Sequence, residues 1–172
     1  MKAIPDEFLD SDTIKNNLML SALYLTAYEL LRSAIIDNIK QFFLFGGEVP
    51  DEQYKNEVTR VHKDLLYASC LWLQGNNVIT EEDLRKIENI RRHRNHIAHE
   101  LPKLLIDGDN NLSLGYLLQI RELLEKIELW WVINVEIPAN QNFDGDEISG
   151  KDIRPGRVVL IDYIVSSAFT EF

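Results

Sequence analysis

Thr80-Glu81-Glu82-Asp83-Leu84-Arg85-Lys86-Ile87-Glu88-Asn89-Ile90-Arg91-Arg92-His93-Arg94-Asn95-His96-Ile97-Ala98-His99-Glu100-Leu101 is the stretch whose reading decides the fold. It opens as a helix opens. Thr80 offers a hydroxyl cap, and the three acids behind it sit at the positive end of the helix dipole. Ile87, Ile90, Ile97 and Leu101 recur at helical spacing and form one apolar stripe. Pro102 discourages continuation, so a helix is expected from Thr80 to about Leu101.

Similar helices flank it. Residues 13–45 carry Leu18, Ala22, Leu25, Glu29, Arg32, Ile36, Ile39 and Phe43 at steps of three and four, with Asp12 or Thr13 as cap. Gly46-Gly47 ends that helix. Pro50-Asp51 opens a second over roughly 51–74, striped by Tyr54, Val58, Val61, Leu65, Ala68 and Trp72. Gly75-Asn76-Asn77 is a stop signal, and Asp107-Gly108-Asp109-Asn110-Asn111 a turn. A fourth helix is expected over 112–135, with Leu114, Leu117, Leu118, Leu124, Ile127, Trp130 and Trp131, closed by Pro138. Residues 138–157 read as a surface loop. Val158 to Phe169 is apolar enough for a short strand or a final helix packing back on the body. The expectation is an all-α bundle of four to five helices over 1–137, with residues 138–172 as a C-terminal appendage on the same domain.

Bulk composition sets limits. A chain of 172 residues, 45% apolar and 27% charged, suffices for one domain with a core. No apolar run approaches the ~20 residues of a membrane span, and the N-terminus lacks a signal peptide's apolar centre. With Cys70 as the only cysteine, an internal disulfide is impossible. A cytoplasmic protein without membrane association is expected. Net charge is −10, which argues against broad, non-specific nucleic-acid binding. The charge is uneven, however. Arg85, Lys86, Arg91, Arg92, Arg94 and Lys103 face only Glu88 and Glu100 within their window. A local positive patch on an acidic body suits gripping a few phosphates and rejecting long polyanions.

The chemistry sits in Arg94-Asn95-His96-Ile97-Ala98-His99. Arginine stays charged and grips phosphate oxygens through two parallel N–H donors. Histidine gives or takes a proton near neutral pH. On a helix turning ~100° per residue with Ile87 at zero, Arg94 falls at about −20°, inside the apolar stripe. Arg91 lies near ~40°, Asn95 near ~80° and His99 near ~120°, on one shoulder. His96, near ~180°, is on the opposite face, and His93 is also turned away. Arg94, Asn95 and His99 can therefore converge. An arginine in an apolar stripe is costly unless paired. Glu29 of the first helix is the expected partner.

The motif resembles the R-x4-H pattern of the HEPN superfamily, in its form with Asn after Arg. Arg94 and His99 match the two defining positions and Asn95 the accompanying one. The resemblance covers about residues 13–135 and leaves 138–172 unexplained. It implies an α-helical bundle with the motif late in a middle helix. It further implies a metal-independent endoribonuclease with no cofactor, acting on single-stranded RNA in a toxin–antitoxin or abortive-infection role. A homodimer with motifs facing across the interface is implied, as is a possible nucleotidyltransferase-like antitoxin. His99 would then be the acid/base, Arg94 the phosphate ligand and transition-state stabiliser, and Asn95 a residue orienting either. Arg91 would add a phosphate contact, and Glu29 would hold Arg94 from behind. The expected products are a 2′,3′-cyclic phosphate and a 5′-hydroxyl. Some members of the superfamily are binding modules. The alternative is therefore a non-catalytic helical module that takes a nucleotide or a protein partner.

Other constellations are weaker. His96 and His99 are spaced to chelate zinc, but only Glu100 stands near to complete the coordination, so no metal site is expected. Asp144-Gly145-Asp146-Glu147 lacks EF-hand spacing. Trp130-Trp131 are able to stack bases, although adjacent tryptophans on a helix diverge, one to the core and one to an interface. Cys70, among Leu66, Ala68, Leu71 and Trp72, reads as a buried small hydrophobe.

Overall fold

The structure is a computed structural model and describes residues 10–44, 52–107, 114–140, 150 and 153–170. Every regular element among them is helical. Helix α1 (Ser11–Phe42) is the central member, packing against α3 (Leu65–Gly75), α4 (Glu81–Asp107), α5 (Leu114–Trp131) and α7 (Gly156–Thr170). Two three-residue pieces, α2 (Glu52–Tyr54) and α6 (Ile137–Ala139), each adjoin a π-helical segment, Lys55–Thr59 and Val132–Glu136. The all-α bundle is as the sequence indicates, and α7 supplies its fifth substantial helix.

The core follows from the apolar register of α1. Leu20, Tyr24, Ala27, Leu31, Ala34, Ile35 and Ile39 are buried along it. This face is rotated from the stripe read in the sequence, where Leu18 is 50% exposed and Ala22 and Arg32 are also exposed. Steps of three and four from Leu20 collect more apolar side chains than steps from Leu18, so burial selects them. Glu29 and Arg32 thereby lie beside the core seam, outside it. Asp10, rather than Asp12 or Thr13, caps the helix, accepting from the Asp12 and Thr13 backbone N–H groups at 3.3 and 3.2 Å. Helix α1 is also long and apolar enough to cross a membrane, by length and composition only, and half of that apolar window is buried inside the protein. Gly46-Gly47 falls outside the described residues.

The second expected helix is broken. Residues 60–64 separate the Lys55–Thr59 segment from α3. Neither Pro nor Gly causes the break. Asp64 takes extended backbone geometry and its carboxylate accepts from Tyr67 N–H at 3.1 Å, so it caps a new helix. His62 accepts from Asp64 N–H through Nδ1 at 3.0 Å and fixes the turn before it. The change of register leaves Val61 and Leu65 exposed, although the continuous stripe placed both inside.

Helix α4 continues through Pro102 to Asp107, past the expected stop. Proline removes one bond to the carbonyl four residues back. That carbonyl belongs to Ala98, and Ala98 and Pro102 both lie on the exposed side. Water can take the freed acceptor there, and the helix goes on. In α5 the core residues are Leu117, Ile120, Leu123, Leu124, Ile127 and Trp131, while Leu118 is exposed. Trp131 is buried and stacks on Trp72 at 6.0 Å, and Trp130 is half-buried beside it. Asp107, the first residue of the expected turn, still belongs to α4, and residues 108–111 and most of the loop over 138–157 lie outside the described residues.

The segment from Val158 onward resolves as helix. Val158, Ile161 and Ile164 of α7 are buried against α1 and α5. Arg157 reaches Glu128 of α5 at 2.6 Å and Asn38 of α1 at 2.9 Å, and Arg121 of α5 reaches Asp162 at 2.6 Å. Each buried Val or Ile is worth ~1.5–3 kcal/mol, so apolar contact holds α7 and the ion pairs set its register.

Candidate functional site

Helix α4 positions the motif. Its N-terminus is a capping box: Thr80 N–H donates to Asp83 Oδ2 at 2.9 Å, and Asp83 N–H donates to Thr80 Oγ1 at 3.2 Å. Asp83 also accepts from Lys126 of α5 at 2.5 Å. Ile87, Ile90 and Ile97 are then fully buried. Arg94 falls between them in the same stripe, at a level where the seam between α1 and α4 opens. The two helices run antiparallel. Asn17 donates to the Leu104 carbonyl at 3.2 Å, and the Tyr24 hydroxyl donates to the Ile90 carbonyl at 2.9 Å. Burial pushes the Tyr24 phenol well above its ordinary pKa of 10, so it stays a neutral donor.

The Glu29–Arg94 contact is present. Arg94 Nη2 lies 3.3 Å from Glu29 Oε1, and Arg94 Nη1 lies 3.4 Å from Asn95 Oδ1. The guanidinium stands 5.5 Å from the centre of the Tyr28 ring. Arg94 Nε is buried and has no acceptor. With the arginine side chain 35% exposed and the glutamate 51%, the pair is screened and worth at most ~1 kcal/mol. It orients Arg94 more than it stabilises the fold. Asn95 is exposed, and His99, one turn further on the same shoulder, is exposed too.

Arg91 is engaged as well. Its Nη2 meets Asp64 Oδ2 at 2.5 Å and its Nη1 meets Glu88 at 3.5 Å. Partial burial pulls the Asp64 carboxyl upward. The Tyr67 N–H and the Arg91 guanidinium outweigh that pull and hold it below the usual carboxylate range. One aspartate thus starts α3 and aims an arginine of α4.

His96 is exposed on the far side of the helix. His93 is turned away from Arg94, yet toward protein. It stacks on Tyr116 of α5 at 4.5 Å and meets Tyr24 edge-on at 5.0 Å. Its Nε2 is buried without a partner, and burial, then His96, lowers its pKa below the ordinary 6.5. It is an aromatic packing residue. Among the described residues no three His, Cys, Asp or Glu side chains gather to hold a metal ion.

Beside Arg94 opens a cleft of about 570 Å³, lined by Tyr28, Glu29, Arg32, Lys63, Asp64, Leu65, Leu66, Arg91 and Arg94. Four cations face two carboxylates there, on a chain of net charge −10. Sequence reasoning missed Lys63 and Asp64 because both sat inside an apparently continuous helix. The signal was His62-Lys63-Asp64, three polar residues across the supposed stripe, with an Asp at capping distance from Tyr67. His99 is not part of the cleft lining. Arg94 and Arg91 open into the cleft, whereas Asn95 and His99 stand on the exposed shoulder beside it.

No family model, no curated protein and no solved structure matches this chain.

Proposed function

We propose that the chain is a metal-independent endoribonuclease that cleaves single-stranded RNA by attack of the ribose 2′-OH, in the toxin or phage-defence setting implied by the HEPN resemblance. The observation that carries it is the placement of Arg94. A permanent cation sits at the mouth of a positive cleft, steadied by Glu29 and touching Asn95, with the imidazole of His99 exposed one turn along. Cleavage without metal needs a base for the 2′-OH proton, an acid for the leaving 5′-oxygen and a cation for the charge on phosphorus. Arg94 meets the last need and His99 one of the first two. A second copy of the chain supplies the other imidazole, so the active form is a homodimer with the two motifs facing. Asn95 orients His99 or the phosphate. A nucleotidyltransferase-like antitoxin is the partner this setting calls for, and the setting is cytoplasmic.

The alternative, a non-catalytic module binding a nucleotide or a protein, draws support from one observation. Arg94 is already shared between Glu29 and Asn95, and each chain exposes His99 in open solvent. Cleavage of single-stranded RNA in EDTA separates the readings. Wild type is expected to cut, with His99→Ala and Arg94→Ala reduced by roughly 10²-fold or more. Equal cutting by all three assigns the activity elsewhere. No cutting by a dimeric wild type favours the module.

A further inference from the structure

The cleft beside Arg94 is larger than one scissile phosphate needs. At about 570 Å³ it is an open, polar-lined cleft with room for more than one phosphate group. Three separate segments build it. Arg32 and Glu29 come from α1, Lys63 and Asp64 from the break before α3, and Arg91 and Arg94 from α4. The two carboxylates are committed: Glu29 lies against Arg94 and Asp64 against Arg91. The two remaining cations are less so. Arg32 meets Glu29 only at 3.8 Å with about half its side chain exposed, and Lys63 makes no ion pair among the described residues. Lys63 lines the cleft from within the break at 60–64, next to the residue that caps α3.

We infer that Arg32 and Lys63 form a second phosphate subsite, which holds a backbone phosphate of single-stranded RNA next to the one gripped by Arg94. The ligand identity rests on the ribonuclease reading. The anion preference rests on the lining alone. A cleft with more cations than carboxylates, on an otherwise acidic protein, concentrates a short anionic segment at one place and repels long polyanions elsewhere. Arg32 and Lys63 are positioning residues here, since neither belongs to the Arg94–His99 motif.

The test is equilibrium binding of a short, fully 2′-O-methylated single-stranded RNA, which cannot be cleaved. Fluorescence anisotropy is measured from about 50 to 200 mM salt for wild type and the Arg32→Ala/Lys63→Ala double variant. Both substituted side chains of the double variant are surface groups, and circular dichroism melting checks that it folds. Loss of one phosphate contact is expected to reduce the log–log salt slope by about 0.7 for a single strand and to weaken binding several-fold at low salt. A folded double variant with wild-type affinity and slope overturns the subsite, whether or not wild type cleaves RNA. Weakened binding by the double variant together with an inactive wild type supports the subsite and removes the ribonuclease reading.

Discussion

Replacing Asp64 separates its two tasks. Its Oδ1 accepts from Tyr67 N–H at 3.1 Å and starts α3, and its Oδ2 pairs with Arg91. Asparagine keeps a capping oxygen and loses the charge, so Asp64→Asn removes the ion pair and spares the cap. The pair is 32% and 26% exposed, between the surface and buried cases, and screening holds its worth to about 1 kcal/mol. Alanine removes the cap as well, at about 1 kcal/mol more. For a domain of this size each kcal/mol moves Tm by ~2–4 °C. Asp64→Asn is therefore expected to lose about 3 °C and Asp64→Ala about 6 °C, followed by circular dichroism at 222 nm at neutral pH. The pH dependence has a definite sign. A carboxyl held below its ordinary pKa of 3.8 contributes fully above that value and loses the contribution as pH falls below it. The gap between wild type and Asp64→Asn should be constant near neutrality and narrow below about pH 4. Equal melting of the Asn and Ala variants would refute the cap. An Asp64→Asn variant as stable as wild type would refute the ion pair.

Two further outcomes follow from buried groups. His93 has a pKa lowered below 6.5 by burial, with Tyr24, Tyr116 and His96 as the groups facing it, so the unfolded chain binds the proton more readily. Stability should fall as pH drops through 6.5 toward the lowered value, and His93→Phe should flatten that slope in melts from pH 7.5 to 5. An identical slope in both proteins would contradict the packing role. The Cys70 thiol is buried and its pKa is pushed up to about 12, so it should resist thiol reagents until the protein is denatured.

The architecture was legible because long helices repeat their apolar spacing many times, and an error of one residue does not erase a stripe. What failed was register and interruption. Leu18 and Leu25 offer an alternative spacing that places Glu29 and Arg32 in the α1 stripe, although both are exposed at its edge. The break at 60–64 was hidden because a cap needs only one aspartate and no glycine or proline. Pro102 resembles a stop in the sequence, but its exposed position lets water replace the lost bond and α4 continues. Within the site, the sequence paired Arg94 with Glu29 from the facing of two helices, and the contact is there. The stripe turns His93 away from the bundle, yet it packs against Tyr24 of α1 and Tyr116 of α5, a placement that needs the relative position of three helices and that no single stripe encodes. The cleft was illegible for the same reason: its cations come from three segments.

The most direct test of the central claim is the chemistry of the cut ends. Single-stranded RNA is incubated with the purified protein in EDTA beside its 2′-O-methylated counterpart, and the products are read by mass spectrometry. Ends bearing 2′,3′-cyclic phosphate and 5′-hydroxyl are expected, with none from the methylated strand and both products lost with His99→Ala. Products bearing 5′-phosphate, or equal cutting of the methylated strand, would contradict it.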